Sequence, residues 1–157
     1  PPDEEAVDEQ VEALALRELA HRPFASLSVG EQQRASLARA LSQLHRRGES
    51  DERRVLLADE PTSAMDPRWV AHTVSVIRTL RARGIDALIV LHDFTLASRV
   101  ADRIVVLDGS GRIGADGPPE TALDPSRLGE IFRTPFVRGE TERGNIVTPV
   151  IGGGGSP

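Results

Sequence analysis

A short apolar run that ends in two adjacent acids is the feature that most constrains this 157-residue chain. Residues 55–58 are apolar and too few for a helix, which predicts a buried strand in a parallel sheet. Pro61 cannot donate to a strand ladder, so Asp59 and Glu60 should lie just past the strand's carboxyl end. Open α/β sheets bind ligands there, and two acids suit a divalent cation on a phosphate chain and a base for water. A buried strand followed by an acidic turn is the alternative.

The composition indicates one globular domain and excludes several classes of protein. Hydrophobic residues make up 39% of the chain, enough for a core of its own. Without Cys, neither disulfides nor thiolate metal sites can form. A net charge of −5 and scarce aromatic residues argue against nucleic acid as a partner. No stretch resembles a membrane span or a signal peptide, so we expect a cytosolic chain.

Two helices are predicted around the start of the chain. Apolar residues recur at helical spacing from about residue 5 to residue 20, and Pro23 should end that helix. Ser28, with Glu31 three residues later, has the pattern of a capping box and predicts a second helix. Its free N–H groups and hydroxyl suit an anion, while a simple capped helix is the alternative. A charged loop over residues 45–54 follows.

Helices and strands alternate in the rest of the chain. Pro67 suits the first turn of a third helix, and Gly84 suits its C-terminal cap. A second strand over residues 87–91 ends at His92, for which a capping or hydrogen-bonded loop role is the alternative to catalysis. A third strand precedes a hairpin turn at residues 108–111. This order predicts an α/β fold with a mainly parallel sheet flanked by helices.

Four motifs in register resemble the ATP-binding subunit of ABC transporters. LSVGEQQR resembles the ABC signature, VLLADE the Walker B strand and SAMD the D-loop, and LIVLHD ends at what resembles the switch histidine. Asp59 follows Ser28 by 31 residues and precedes His92 by 33, which matches the family. The resemblance covers almost the whole chain. It implies the C-terminal portion of the ABC-type P-loop ATPase fold, with part of the helical subdomain.

The resemblance also divides the chain into four segments. Residues 1–52 would carry the signature within part of the helical subdomain, and residues 53–133 would form the α/β core from the Walker B strand to the switch histidine. Residues 134–151 would form a C-terminal β extension with two small strands. Residues 152–157, rich in Gly, would be a flexible tail that resembles a linker.

By resemblance, one side of an ATP site would come from the two strand ends. Asp59 would hold Mg²⁺ through water, and Glu60 would orient or deprotonate the attacking water. His92 would hydrogen-bond the γ-phosphate and link it to Glu60. These roles agree with phosphoryl transfer in general, which depends mostly on positioning and charge stabilisation.

The signature would act on ATP held by a second copy of the subunit. Ser28, Gly30 and Glu31 would contact that ATP, and Asp66 would connect the two sites across a homodimer. Such a helix start binds phosphate only when two subunits meet, so ATP would hold them together. The chain departs from the family at Val29, which replaces a usual glycine and could crowd the partner's nucleotide.

The phosphate-cradling loop of the family is absent from this sequence. All nineteen basic residues are Arg, and without Lys no GxxxxGK[ST] motif can occur. The phosphate loop, the glutamine switch loop and the aromatic residue that stacks on adenine are expected upstream. We therefore expect the C-terminal part of a longer ATPase, or a split or truncated form, that hydrolyses no ATP by itself.

The subfamily resemblance points to an importer. LSVGEQQRASLARALSQL resembles hemin-import ATP-binding proteins, and ADGPPETALDPSRLGEIFRTP is shared with cobalamin and iron-siderophore importers. This implies a subunit at the cytoplasmic face of the membrane, with ATP and Mg²⁺ as cofactors and permease subunits as partners. A periplasmic or surface substrate-binding protein would act indirectly. The alternatives are a nucleotide-incompetent interaction module and, less favoured without a basic surface, an ABC ATPase of DNA repair or translation.

Overall fold

The computed structural model describes residues 4–44, 53–142 and 144–151, in two compact units that divide between Val90 and Leu91. The predicted flexible tail and residues 45–52 of the charged loop lie outside the described residues. The first unit contains, in order, α1 (Glu4–Ala13), α2 (Val29–Leu44), β1 (Arg54–Asp59), α3 (Pro67–Ala82) and β2 (Ile85–Val90). No helix in the described ranges is both long enough and apolar enough to cross a bilayer.

Strands β1 and β2 form the parallel pair that the apolar runs predict. They lie side by side in register, with Leu57 opposite Leu88, and α3 provides the crossover between them. One face of the pair packs against the helices. The main buried residues of this unit are Leu14, Leu37, Leu41, Leu56, Ile77, Leu80 and Ile85.

The opposite face of this strand pair is apolar and exposed. Leu57 keeps 71% of its surface accessible and Leu88 keeps 66%, and Val55 and Val90 are also exposed. Parallel sheets are normally covered on both faces, because their strands are apolar on both. These four residues are called the open apolar face below.

Helix α1 is shorter than its periodicity predicts, so the predicted helix to residue 20 is wrong. It ends at Ala13, and Ala15 takes a left-handed conformation with a φ of 50°. The guanidinium of Arg34 donates hydrogen bonds to the carbonyls of Leu14 and Ala15, at 2.9 and 3.2 Å. These bonds satisfy carbonyls that a continuing helix would otherwise use, and a short 3-10 turn follows at Arg17–Leu19.

Both ends of α3 lie where the local sequence predicts them. Asp66 caps the helix by accepting hydrogen bonds from the backbone N–H groups of Arg68 and Trp69, at 3.0 and 3.1 Å. Pro67 occupies the first helical position. Gly84 follows the helix with a φ of 65°, a conformation that glycine adopts without steric cost.

The second unit contains short helices and two antiparallel hairpins. Its elements, in order, are α4 (Phe94–Val100), β3 (Ile104–Leu107), β4 (Ile113–Gly117), α5 (Pro119–Ala122), α6 (Pro125–Phe132), β5 (Phe136–Thr141) and β6 (Gly144–Pro149). The hairpin after the third strand and the two C-terminal strands are both present, as predicted. Strands β3 and β4 pair antiparallel, because the turn that joins them is short, and β5 and β6 also pair antiparallel. Among the described strands, only β1 and β2 form a parallel pair. The division into four segments stays a prediction.

Candidate functional site

The turn after β1 places two carboxylates at the carboxyl end of a parallel strand, as the sequence predicts. Asp59 is the last residue of β1 and is exposed, and Glu60 follows it with a φ of 45°. A left-handed conformation costs a non-glycine residue about 1–3 kcal/mol, so surrounding contacts must hold it. The N–H of Glu60 donates to the carbonyl of Val90 at 3.1 Å, and its carbonyl accepts from the N–H of Ser63 at 3.2 Å. Residues 60–64 are called the acid turn below.

The start of α2, called the signature helix below, is the capping box that the sequence predicts. The N–H of Ser28 donates to a carboxylate oxygen of Glu31 at 2.7 Å, and the N–H of Glu31 donates to the Ser28 hydroxyl at 3.4 Å. The first of these bonds lowers the pKa of Glu31, so this carboxylate is charged at neutral pH. The Ser28 side chain is exposed, and its hydroxyl hydrogen can be donated to an anion.

The carboxylate of Glu31 caps the helix and is poorly suited to contact a phosphate. It accepts the Ser28 N–H, which is a donor that an anion would otherwise use. A carboxylate also repels a phosphate of the same sign. The contact of Glu31 with ATP therefore stays a prediction, and its visible role is to cap the signature helix.

The signature helix lies directly against the acid turn. A Cβ built on Gly30 would meet the carbonyl oxygen of Ala64 at 2.7 Å, closer than real Cβ atoms come. Glycine is thus required at this position for the two backbones to approach, independently of any ligand. The structure therefore brings the predicted phosphate contacts Ser28 and Gly30 and the predicted catalytic Glu60 into one compact unit.

Gln33 bridges the two segments and was not predicted from the sequence. Its side-chain nitrogen donates to the Ser63 hydroxyl at 2.9 Å and to the Glu60 carbonyl at 3.5 Å. Its side-chain oxygen accepts the N–H of Ala64 at 3.1 Å. These partners lie 27 to 31 residues away in sequence, so no local pattern reveals them.

A cleft of about 340 Å³ lies between the signature helix and β1. Its walls include the apolar residues Phe24, Val29 and Leu57, and Asp59 and Glu60 also line it. The cleft thus combines an apolar surface with both carboxylates of the strand end. Val29, which replaces the family's glycine, is 64% exposed here.

The donor set at the strand end fits a cation shared with a phosphate chain. Within the described ranges, no group of three or more Asp, Glu or His side chains is placed to hold a metal ion by itself. Asp59 offers one exposed carboxylate at the end of β1. Mg²⁺ commonly keeps several waters and takes its other ligands from one or two carboxylates and substrate phosphates. Asp59 therefore suits the predicted role of holding Mg²⁺ through water.

His92 and Asp66 complete the predicted set. Asp66 lies in the first unit as the cap of α3, and its carboxylate is exposed. His92 belongs to the second unit, where it is exposed and lies next to Asp93, the residue that caps α4 through the N–H of Leu96 at 2.9 Å. The link between His92 and Glu60 stays a prediction.

Similarity to known proteins agrees with this geometry. A family profile described as ABC transporter matches residues 2–63, which include the signature helix start and residues 60–63 of the acid turn. The hemin import ATP-binding protein HmuV of Pseudomonas fluorescens is 40% identical over 144 residues, which cover 91% of this chain and 55% of that relative. The chain belongs to the ABC transporter family. HmuV of Photobacterium damsela subsp. piscicida is also 40% identical, over 74% of this ABC-family chain and 43% of the relative.

Solved structures confirm the predicted fold class. A dimeric bacterial ABC transporter cassette matches with a TM-score of 0.63 at 26% identity, over 73% of this ABC-family chain and 46% of that one. A structure described as an inward-facing ABC transporter of the metal-chelate type matches with a TM-score of 0.77, over 94% and 57% of the two chains. Its 22% identity supports the fold alone. The chain spans about half the length of the curated relatives it matches.

Proposed function

We propose that this chain is the C-terminal portion of an ATPase subunit that couples ATP hydrolysis to import across the cell membrane. The observation that carries the proposal is the junction between the signature helix and the acid turn. It joins a helix start suited to phosphate with a carboxylate suited to activating water. The Ser28 hydroxyl also caps the helix, but a capped helix packed on a turn does not require the exposed Asp59 carboxylate.

Each residue of the junction has a role in this proposal. Asp59 binds water on Mg²⁺, which neutralises charge on the phosphates when it is bound. Glu60 orients the attacking water and accepts its proton. Ser28 donates its hydroxyl hydrogen to the γ-phosphate of ATP held by a second copy, and Gly30 lets that phosphate approach the backbone. Asp66 connects the two sites, and His92 contacts the γ-phosphate.

A segment outside these 157 residues supplies the phosphate-cradling loop in this proposal. Two observations support that assignment. The chain has no Lys for a GxxxxGK[ST] loop, and it spans about half the length of the relatives it matches. The open apolar face offers a surface for such a segment, since parallel strands are normally covered on both sides.

We further infer a hemin importer with the ATPase as a homodimer. Several relatives of about 40% identity carry the name hemin import ATP-binding protein, and a neighbouring structure is a dimeric cassette. The subunit would bind permease subunits at the cytoplasmic face of the membrane, and a substrate-binding protein would act through the permease. Cobalamin or an iron siderophore is the alternative substrate.

An ATPase assay tests the catalytic proposal. The complete gene product containing these residues should hydrolyse ATP with Mg²⁺, and the isolated 157-residue chain should not. Glu60→Gln should lower kcat by about a hundredfold or more, because the general base is lost. Glu130→Gln makes the same change at an exposed position of α6 and should leave the rate unaltered. ATP hydrolysis by the isolated chain that depends on Glu60 would contradict the assignment of the phosphate loop to another segment.

A growth assay tests the substrate. A strain lacking the gene should fail to grow with hemin as its only iron source, and the wild-type gene should restore growth where the Glu60→Gln gene does not. Ferric siderophore as the iron source, and cobalamin where growth requires it, serve as parallel arms. Loss of growth on either of those with normal growth on hemin would assign the other substrate.

A further inference from the structure

We propose that Gln33 is a positioning residue that couples the signature helix to Glu60 within one subunit. Contact of Ser28 and Gly30 with the partner's ATP would then align the carboxylate that acts on water in the same subunit. This rests on the proposed ATPase function. It adds a route by which nucleotide binding at the signature helix controls the carboxylate of Glu60 on the acid turn.

The bonds of Gln33 are arranged as a clamp on the acid turn. One end of its amide donates to the Ser63 hydroxyl, and the other end accepts the N–H of Ala64. Because an amide is planar, fixing both ends fixes the orientation of the whole side chain. A single amide supplies both the donor and the acceptor, and Asn, the other side-chain amide, is one methylene shorter.

The clamp reaches Glu60 through Ser63. The Ser63 hydroxyl accepts the bond from Gln33 and donates its own hydrogen to the Glu60 carbonyl at 3.2 Å. Gln33 also approaches that carbonyl directly, at 3.5 Å. Glu60 needs such support, because its φ of 45° is unfavourable for a side chain with a Cβ. Loss of the clamp should let the turn relax and move the carboxylate.

A second contact makes the junction rigid. The Gly30 Cα lies so near the Ala64 carbonyl that no further side-chain atom fits between them. A shift of the helix start toward the turn therefore pushes the Ala64 backbone, and a shift away stretches the bonds of Gln33. Motion at the phosphate-contacting end is transmitted to the acid turn in both directions.

Steady-state kinetics on the complete gene product test the proposal. Gln33→Met keeps the side-chain length and removes both polar ends. We expect kcat to fall about tenfold or more, because small displacements of a reacting group cost much of the rate. The KM for ATP should change less than about twofold, since the phosphate cradle lies elsewhere. Gln43→Met, at an exposed position of the same helix, should leave both constants unaltered.

Two further measurements separate positioning from simple stability. Hydrogen exchange of the Ala64 amide should be faster in Gln33→Met, because its acceptor is removed. Ser63→Ala should lower kcat alone but add little to Gln33→Met, because both residues belong to one relay. A variant that unfolds at a lower temperature but keeps kcat at a permissive temperature would show a structural role and overturn the proposal.

Failure of the Gln33 proposal can be distinguished from failure of the proposed ATPase function. If the wild-type protein hydrolyses no ATP, the proposed function fails, whereas the exchange rate at Ala64 still reports on the clamp. Faster exchange in Gln33→Met supports a clamp on the acid turn in that case. Unchanged exchange, with or without activity, overturns it.

Discussion

Single residues at the junction have requirements that their residue type alone does not reveal. Gly30 lies in the first turn of a helix, where alanine is usually the better residue by about 1 kcal/mol. At this position we expect glycine to be more stable than alanine, because the Ala64 carbonyl oxygen next to it belongs to the backbone and cannot rotate away. The steric requirement therefore prevails over helix propensity at this position.

Gly30→Ala should lower the free energy of unfolding of the 157-residue chain by about 1–3 kcal/mol, the usual cost of overpacking. Denaturant unfolding followed by circular dichroism measures it. Gly129→Ala is a matched control in α6, where the nearest non-local atom, the Thr134 carbonyl oxygen, lies 3.5 Å from the built Cβ. That variant should be neutral or stabilising by up to about 1 kcal/mol. A neutral Gly30→Ala would show that the two backbones are not held together.

The capping carboxylate gives a pH-dependent prediction. The pKa of Glu31 is lowered mainly by the N–H of Ser28, so the folded state favours the charged form. Its stabilisation is complete above the ordinary value of 4.5 and is lost as the pH falls through the lowered value. Glu31→Gln should lower the melting temperature at pH 7, and the difference from wild type should shrink below pH 4.5.

Thermal unfolding between pH 7 and pH 3 measures this difference. Glu130→Gln supplies the comparison at an exposed helix position, and its curve should follow the wild type throughout. A Glu31→Gln difference that stays constant across the range would mean that the charge of Glu31 does not act on the capping box.

At the scale of elements, the sequence predicts the helix and strand ends that depend on interactions between residues close in the chain. The capping box at Ser28, the start of α3 at Asp66 and its end at Gly84 each depend on neighbours within a few residues, and all three are present. The strand ending at Asp59 follows from its apolar run and Pro61. These elements position most of the candidate site, which explains why its acids could be found from sequence.

Contacts between distant residues were not predictable in the same way. Helix α1 ends early where Arg34, about 20 residues later, bonds to the carbonyls of Leu14 and Ala15. Arg34 is buried and stacks on Trp69 with 3.7 Å between its guanidinium carbon and the ring centroid. The spacing of apolar residues in the sequence does not predict such long-range contacts. The same holds for Gln33, whose partners follow the strand that comes after the signature helix.

The open apolar face gives a prediction for the sheet as an element. Leu57 and Leu88 are opposite one another and largely exposed, so the isolated chain should self-associate through them. The double variant Leu57→Asn/Leu88→Asn should reduce self-association in sedimentation and dye-binding assays. Its unfolding free energy should change by less than about 1 kcal/mol, because little contact is lost.

The same substitutions should lower the free energy of unfolding much more in the complete protein. If another segment covers the face, each substitution places a polar group in a buried site and should cost about 2 kcal/mol or more. Val137→Asn, at an exposed position of β5, is the control and should have little effect in either form. Equal stability changes in the short and complete forms would show that the face stays exposed.

At the scale of the whole molecule, the ABC-family assignment predicts that nucleotide and assembly are linked. The residues expected to contact ATP lie at a helix start with an exposed Ser28, and the expected base lies on the adjoining turn. This assignment predicts that one subunit has two half-sites of different chemistry. If a second copy and the phosphate-cradling segment complete each site as proposed, ATP should stabilise the dimer by mass action.

Light scattering on the complete gene product measures this linkage. The protein should be monomeric without nucleotide and dimeric with ATP when Glu60→Gln slows hydrolysis. Ser28→Arg, introduced into the Glu60→Gln protein, should abolish the ATP-dependent dimer, because its long side chain occupies the space in front of the helix start. Ser126→Arg makes the same change in the first turn of α6, where we assign no nucleotide contact, and should leave the dimer intact. Dimerisation that persists in the Ser28→Arg protein would mean that the signature helix start does not contact the shared nucleotide.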